Sequence, residues 1–87
     1  MNRDEARELV LRSLSDVAPE IDLGTVDPDV RFQEQFDLDS MDVLNYVTGL
    51  EEGAGIRIPE TDYAKVTSLT AAVDYLSRAG APARSNG

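Results

Sequence analysis

The sequence predicts an all-α fold: a small four-helix bundle with a long loop between its first two helices and a short third helix. Three observations carry that expectation. Apolar residues recur at helical spacing in three stretches, each opened by a capping residue and closed by proline or glycine. The one extended stretch, Ile56-Arg57-Ile58-Pro59, has no partner strand to pair with. The chain has 87 residues, 41% of them apolar, enough for one modest core and too little for a separate catalytic domain.

Asn2 followed by Glu5 reads as an N-cap with its capping-box partner, and Ala6, Leu9, Val10, Leu14 and Val17 then form one apolar stripe. Pro19 stops the pattern, so the first helix is expected over Arg3–Ala18. From Pro19 to Asp39 no period persists. Ile21, Leu23, Val26, Val30, Phe32 and Phe36 are spaced irregularly, as in a long loop pinned to a core with room for a short helical turn.

Ser40 opens the next helix, which Gly53 and Gly55 end. Val43, Val47, Leu50 and Ala54 make its core stripe, with Tyr46 beside it. Met41, Leu44 and Thr48 make a second stripe turned away from the first. A short helix is expected over Thr61–Val66, with Tyr63, Ala64 and Val66 available for burial. Ser68 caps the last helix, whose stripe is Leu69, Ala72, Val73 and Leu76. The domain is expected over residues 1–79, and residues 80–87 are expected to be a flexible tail.

Composition excludes several function classes. With no Cys there is no thiolate nucleophile, disulfide or cysteine zinc site; with no His there is no Ser-His triad. Any chemistry here needs an imported reactive group. Met1–Ala18 mixes charges with apolar residues, so it reads as neither a signal peptide nor a membrane span, and a cytoplasmic protein is expected. Net charge is −9, and Asp16–Asp62 holds 13 acids against Arg31 and Arg57 alone. Nucleic acid is therefore a poor partner. A basic protein surface is the natural complement, although acidity that merely aids solubility explains the same balance.

The densest signal is Phe36-Asp37-Leu38-Asp39-Ser40-Met41-Asp42. Calcium is the first reading to fail. Asp37-x-Asp39 opens like an EF-hand loop, but the fifth, sixth and twelfth positions are Met41, Asp42 and Thr48. Ser40 then has two roles open to it. One is a plain N-cap. The other is covalent modification, since a phosphoryl group on its oxygen would meet the positive end of a helix. Ser40 cannot act as a nucleophile unaided, because the chain has no His and its sole Lys, Lys65, lies far along the sequence.

Asp39-Ser40-Met41-Asp42, preceded by Phe32-x-x-x-Phe36 and followed by Leu50-Glu51-Glu52, resembles the acyl carrier proteins, which have an Asp-Ser-Leu motif at the start of their second helix. The likeness runs through Ile58-Pro59 to Thr67–Leu76 and covers Ala6 to Ala79. It implies a helical bundle of the acyl-carrier type and 4′-phosphopantetheine, donated by coenzyme A, on Ser40. Asp39 becomes a flanking contact for the phosphopantetheinyl transferase. The resemblance also implies a carrier, not an enzyme, monomeric and free-standing, holding acyl groups as thioesters for partners in lipid or polyketide-type biosynthesis. Those partners would dock by basic surfaces on Met41, Asp42, Leu44, Thr48, Glu51 and Glu52.

Departures from the family pattern suggest a specialised carrier. Asp37-Leu38 stands where Gly-Ala or Gly-Gly is frequent, Asn45 where a docking Glu is usual, Tyr46 where Leu is usual and Ala54 where a core Phe is usual. Two other readings remain. One is an unmodified acidic helical adaptor, with Ser40 only a cap; the other is an aminoacyl or peptidyl carrier. For Met41 and Leu44, packing under the long loop is as good a reading as partner contact.

Overall fold

The computed structural model describes residues 1–79. Helix α1 spans Arg3–Val17 and opens with the expected capping box: Glu5 N–H donates to Asn2 Oδ1 at 2.8 Å, and Asn2 N–H donates to Glu5 Oε1 at 3.1 Å. Ala6, Leu9, Val10 and Leu14 are buried, whereas Val17 is half-buried at the end of the stripe. Ala18 is the C-cap, so the helix stops one residue before the expected limit.

The following segment is ordered by short-range hydrogen bonds where no periodicity could order it. Asp22 caps a 3-10 turn, Leu23–Thr25. Helix α2, Phe32–Gln35, is one turn long. Gln35 ties this segment together: its Nε2 donates to the Asp27 and Val30 carbonyls, each at 2.8 Å, and its Oε1 accepts from Asp27 N–H at 2.9 Å. Two backbone bonds then fasten the segment to the start of the last helix, Phe32 N–H to Thr67 O at 2.7 Å and Thr70 N–H to Pro28 O at 2.9 Å. Phe32 is the anchor beneath, 1% exposed, with its ring edge-on to Tyr46 at 5.4 Å between centroids.

Helix α3 spans Ser40–Ala54, and Gly55 closes it in the left-handed region with φ +68°. Gly53 does not end the helix. It lies in the last turn because α1 passes so close that a methyl there would overlap the Leu9 side chain. Tyr46, Val47 and Leu50 are buried, while Val43 and Ala54 pack on the core only partly buried.

Residues 56–59 have no regular secondary structure; Ile58 is buried, and Pro59, in extended conformation, leads into a 3-10 segment over Glu60–Val66. The expectation that Ala64 is available for burial is corrected, for it is exposed. A 3-10 helix repeats every three residues, so Tyr63 and Val66 share the inner face and Ala64 turns outward. Helix α4, Leu69–Ala79, buries Leu69, Ala72, Val73 and Leu76 as expected, and Ser68 Oγ accepts from Ala71 N–H at 3.3 Å as its cap. Helix α1 packs against both α3 and α4, and the 3-10 segment packs on α4. Among the described residues there is no strand and no helix long and apolar enough to cross a membrane. The expected tail, residues 80–87, lies outside the described residues.

Candidate functional site

Asp39, and not Ser40, is the N-cap of α3. Its Oδ1 accepts from Asp42 N–H at 2.9 Å, and Asp42 Oδ2 accepts from Asp39 N–H at 3.3 Å, a second capping box. The capping reading of Ser40 is thereby corrected by one residue. The physical reason is competition between two good caps: Asp39 is in extended conformation and has Asp42 three residues ahead to reciprocate. Ser40 becomes the first residue of the helix, exposed, with its hydroxyl released from capping.

The hydroxyl lies on the rim of an open cleft of about 430 Å³. Leu38, Val43, Leu44 and Tyr63 supply apolar walls; Gln33, Asp39 and Glu60 add polar groups. The cleft therefore lies between the start of α3, the turn around α2 and the 3-10 segment. Of the residues singled out from sequence, Asp39, Ser40, Val43 and Leu44 meet here. Gln33, Leu38, Glu60 and Tyr63 complete the cleft and were not identified from the sequence as part of a site. Leu38 had a signal, lying within the motif segment, and so did Tyr63, as an apolar residue in a short helix.

The second stripe of α3 is exposed and does not pack under the loop, with Met41 62% and Leu44 42% exposed. They are the two large hydrophobic side chains left out to solvent among the described residues. Thr48 is exposed beside them, though its Oγ1 already donates to the Leu44 carbonyl at 2.9 Å. Glu51 and Glu52 lie about three turns beyond Ser40, away from the cleft. Glu52 is exposed, but Glu51 is half-buried and turned to its own chain, Oε2 accepting from Ile58 N–H at 2.8 Å. That bond holds the segment around Ile58 against the helix and competes with any docking role.

The wall that carries Tyr63 is fastened from both sides. Tyr46 Oη donates to Val66 O at 2.7 Å. Tyr75 Oη donates to Asp62 Oδ2 at 2.8 Å, and Lys65 Nζ lies 3.3 Å from Asp62 Oδ1. The Tyr75 hydrogen bond, helped by Lys65, holds the Asp62 carboxyl below its ordinary value, while partial burial and Asp62 push the Tyr75 phenol up.

The family model described as the phosphopantetheine attachment site matches residues 8–76. An acyl carrier protein from Rubrobacter xylanophilus is 32% identical over 73 residues, which span 80% of this chain and 90% of that relative. Among solved structures, the acyl carrier protein from Enterococcus faecalis, to whose high thermal stability novel structural components are described as contributing, is similar with a TM-score of 0.70. The two are 25% identical, over 90% of this chain and 98% of that one.

These matches and the helical bundle define a phosphopantetheine-bearing carrier domain. The chain belongs to the acyl carrier protein family. Membership implies a covalently attached 4′-phosphopantetheine. Acyl carrier proteins are carriers rather than catalysts, and work with phosphopantetheinyl transferases and acyl-processing enzymes. The residues present fit such a group: an exposed hydroxyl at a helix start, beside a cleft lined in part by Gln33, whose side-chain Oε1 is buried with no hydrogen-bond partner.

Proposed function

We propose that this protein carries 4′-phosphopantetheine on Ser40 and, as a specialised carrier and not an enzyme, presents acyl intermediates to partners of lipid or polyketide-type biosynthesis. The observation that supports this most is the released Ser40 hydroxyl, exposed at the first position of a fifteen-residue helix and on the rim of the cleft. Asp39 has already taken the Asp42 N–H, so the N–H groups of Ser40 and Met41 remain for an anion attached there. When bound, the prosthetic group supplies a terminal thiol, the nucleophile that a chain without cysteine lacks.

Met41, Leu44 and Thr48, with Asp39 and Asp42 beside them, form the face offered to basic partner surfaces, Asp39 to the transferase first. Glu52 extends the acidic part of that face, and Glu51 contributes through whatever charge its bond to Ile58 leaves available. We place the carrier over residues 1–79, as a monomer in the cytoplasm.

The test is the intact mass after incubation with coenzyme A and a broad-specificity phosphopantetheinyl transferase, with Ser40→Ala as control. One added phosphopantetheine in the parent and none in the variant is the expected result. No addition to a folded parent of unmodified starting mass, repeated with the source organism's own transferase, would turn the reading to an acidic adaptor that uses the Met41 and Leu44 face alone. The cargo found on the thiol separates an acyl carrier from an aminoacyl or peptidyl one.

A further inference from the structure

Gln33 stands out among the polar residues of the bundle. It lies on α2, lines the cleft that Ser40 borders, and its Oε1 is buried with no hydrogen-bond partner. Gln35, two residues along the same turn, gives a direct comparison, for its side-chain oxygen and nitrogen are all used within the fold. The great majority of buried polar atoms in proteins are paired, and an orphaned acceptor costs more than an apolar side chain of the same shape. The surrounding walls, Leu38, Val43, Leu44 and Tyr63, would accept such an apolar side chain. Gln33 Oε1 is thus an acceptor that the fold itself leaves unused.

We infer that Gln33 Oε1 is the acceptor for an amide N–H of the phosphopantetheine arm, making Gln33 a positioning residue that holds the arm along the cleft. The inference rests on attachment at Ser40. The arm is an extended chain with two amide N–H groups and is tethered at the rim of the cleft that Gln33 lines. It is also a permanent part of the carrier, whereas cargo comes and goes, so it matches an acceptor that is orphaned in every unloaded molecule. The bond adds no covalent step; it changes where the arm rests between visits to partners.

The test uses the full chain, loaded with an arm ¹⁵N-labelled at both amides, in the parent, Gln33→Leu and Gln33→Asn. Mass spectrometry first confirms one arm per molecule. Solvent exchange of the two arm amides is then read by NMR, with free pantetheine as reference. In the parent one amide should exchange about tenfold slower than the reference, the protection expected of one net hydrogen bond. Both variants should return it to the reference rate. Arm attachment should raise the melting temperature of the parent more than that of either variant, and apo Gln33→Leu should melt no lower than apo parent.

Reference-rate exchange of both amides in the parent, or slow exchange retained in both variants, overturns the assignment while leaving Ser40 attachment intact. Slow exchange seen only after an acyl group is loaded moves the donor to the cargo and equally overturns it. A parent that gains no mass overturns both readings together.

Discussion

Tyr46 Oη donates to the Val66 carbonyl at 2.7 Å, so the middle of α3 is bonded to the last residue of the 3-10 segment. The ring itself is 2% exposed and stands edge-on to Phe32, and burial pushes the phenol well above its ordinary pKa. One side chain thus joins three elements that are separate in sequence: α2, α3 and the 3-10 segment that forms a wall of the cleft.

Tyr46→Phe keeps the ring and strands the Val66 carbonyl. Removing one partner of a buried bond costs about 1–3 kcal/mol. In a chain of this size, 1 kcal/mol lowers the melting temperature by about 4–8 °C. Thermal and urea unfolding should both show the loss; an unchanged urea midpoint would mean the bond contributes nothing net.

Asp39→Ala should cost about 0.5–2 kcal/mol, because it removes the cap and its half of the capping box. Asp39→Asn should recover most of that. Ser40→Ala should leave stability within about 0.5 kcal/mol, as expected of an exposed position off the cap. A Ser40→Ala variant weaker than Asp39→Ala would return the cap to Ser40.

Gly53→Ala sets helix propensity against close approach. Alanine in a helix interior is favoured by about 1 kcal/mol. Against that, a methyl here overlaps the Leu9 side chain, with Leu9 Cγ 3.2 Å from it, so Leu9 or the helix that carries it must shift. Overpacking of this kind costs about 1–3 kcal/mol. The net effect should be destabilising, read as a lower urea midpoint. A more stable Gly53→Ala would show that α1 shifts freely.

The Tyr75–Asp62 pair gives a stability contribution bounded at both ends of the pH scale. Asp62 has its folded-state pKa lowered from an ordinary 3.8, so its contribution is present above that value and lost as pH falls through the folded pKa. Tyr75 has its folded-state pKa raised from 10.0, so its contribution is complete below that value and lost as pH rises through the folded pKa. The stability gap between the parent and Tyr75→Phe should therefore be flat near neutrality and shrink in acid and in strong alkali. A gap that stays constant from pH 3 to pH 11 would exclude the pair as its source.

Association with a basic partner enzyme should slow with added salt, since 13 acids crowd the stretch Asp16–Asp62. Screening shortens the reach of such charges from about 8 Å at physiological ionic strength to about 3 Å at 1 M. The effect should fall mainly on the association rate in stopped-flow measurements. An association rate that ignores salt would count against the acidic face.

Much of the fold was legible because caps and periodicity are local. Asn2 with Glu5, the stripe from Ala6 to Leu14, the left-handed Gly55 and the Ser68 cap each depend on residues within a turn or two of one another. The resemblance around Ser40 was likewise carried by contiguous residues. At Asp39 and Ser40 the cap was expected one residue late, on Ser40, and the reciprocal bond with Asp42 puts it on Asp39.

The amino-acid sequence by itself determined the helical class, the boundaries of α1 and α3 to within a residue or so, the absence of cysteine and histidine and the serine motif. Tertiary structure alone decided what faces what. Periodicity defines a helix face but not the element opposite it, so the exposure of Met41 and Leu44, the closeness of Gly53 to Leu9 and the inward turn of Glu51 could not be read from spacing. The same holds for Tyr46 with Val66, twenty residues apart, and for Gln33, whose buried, unpaired oxygen and place in the lining of the cleft depend on how α2, α3 and the 3-10 segment come together.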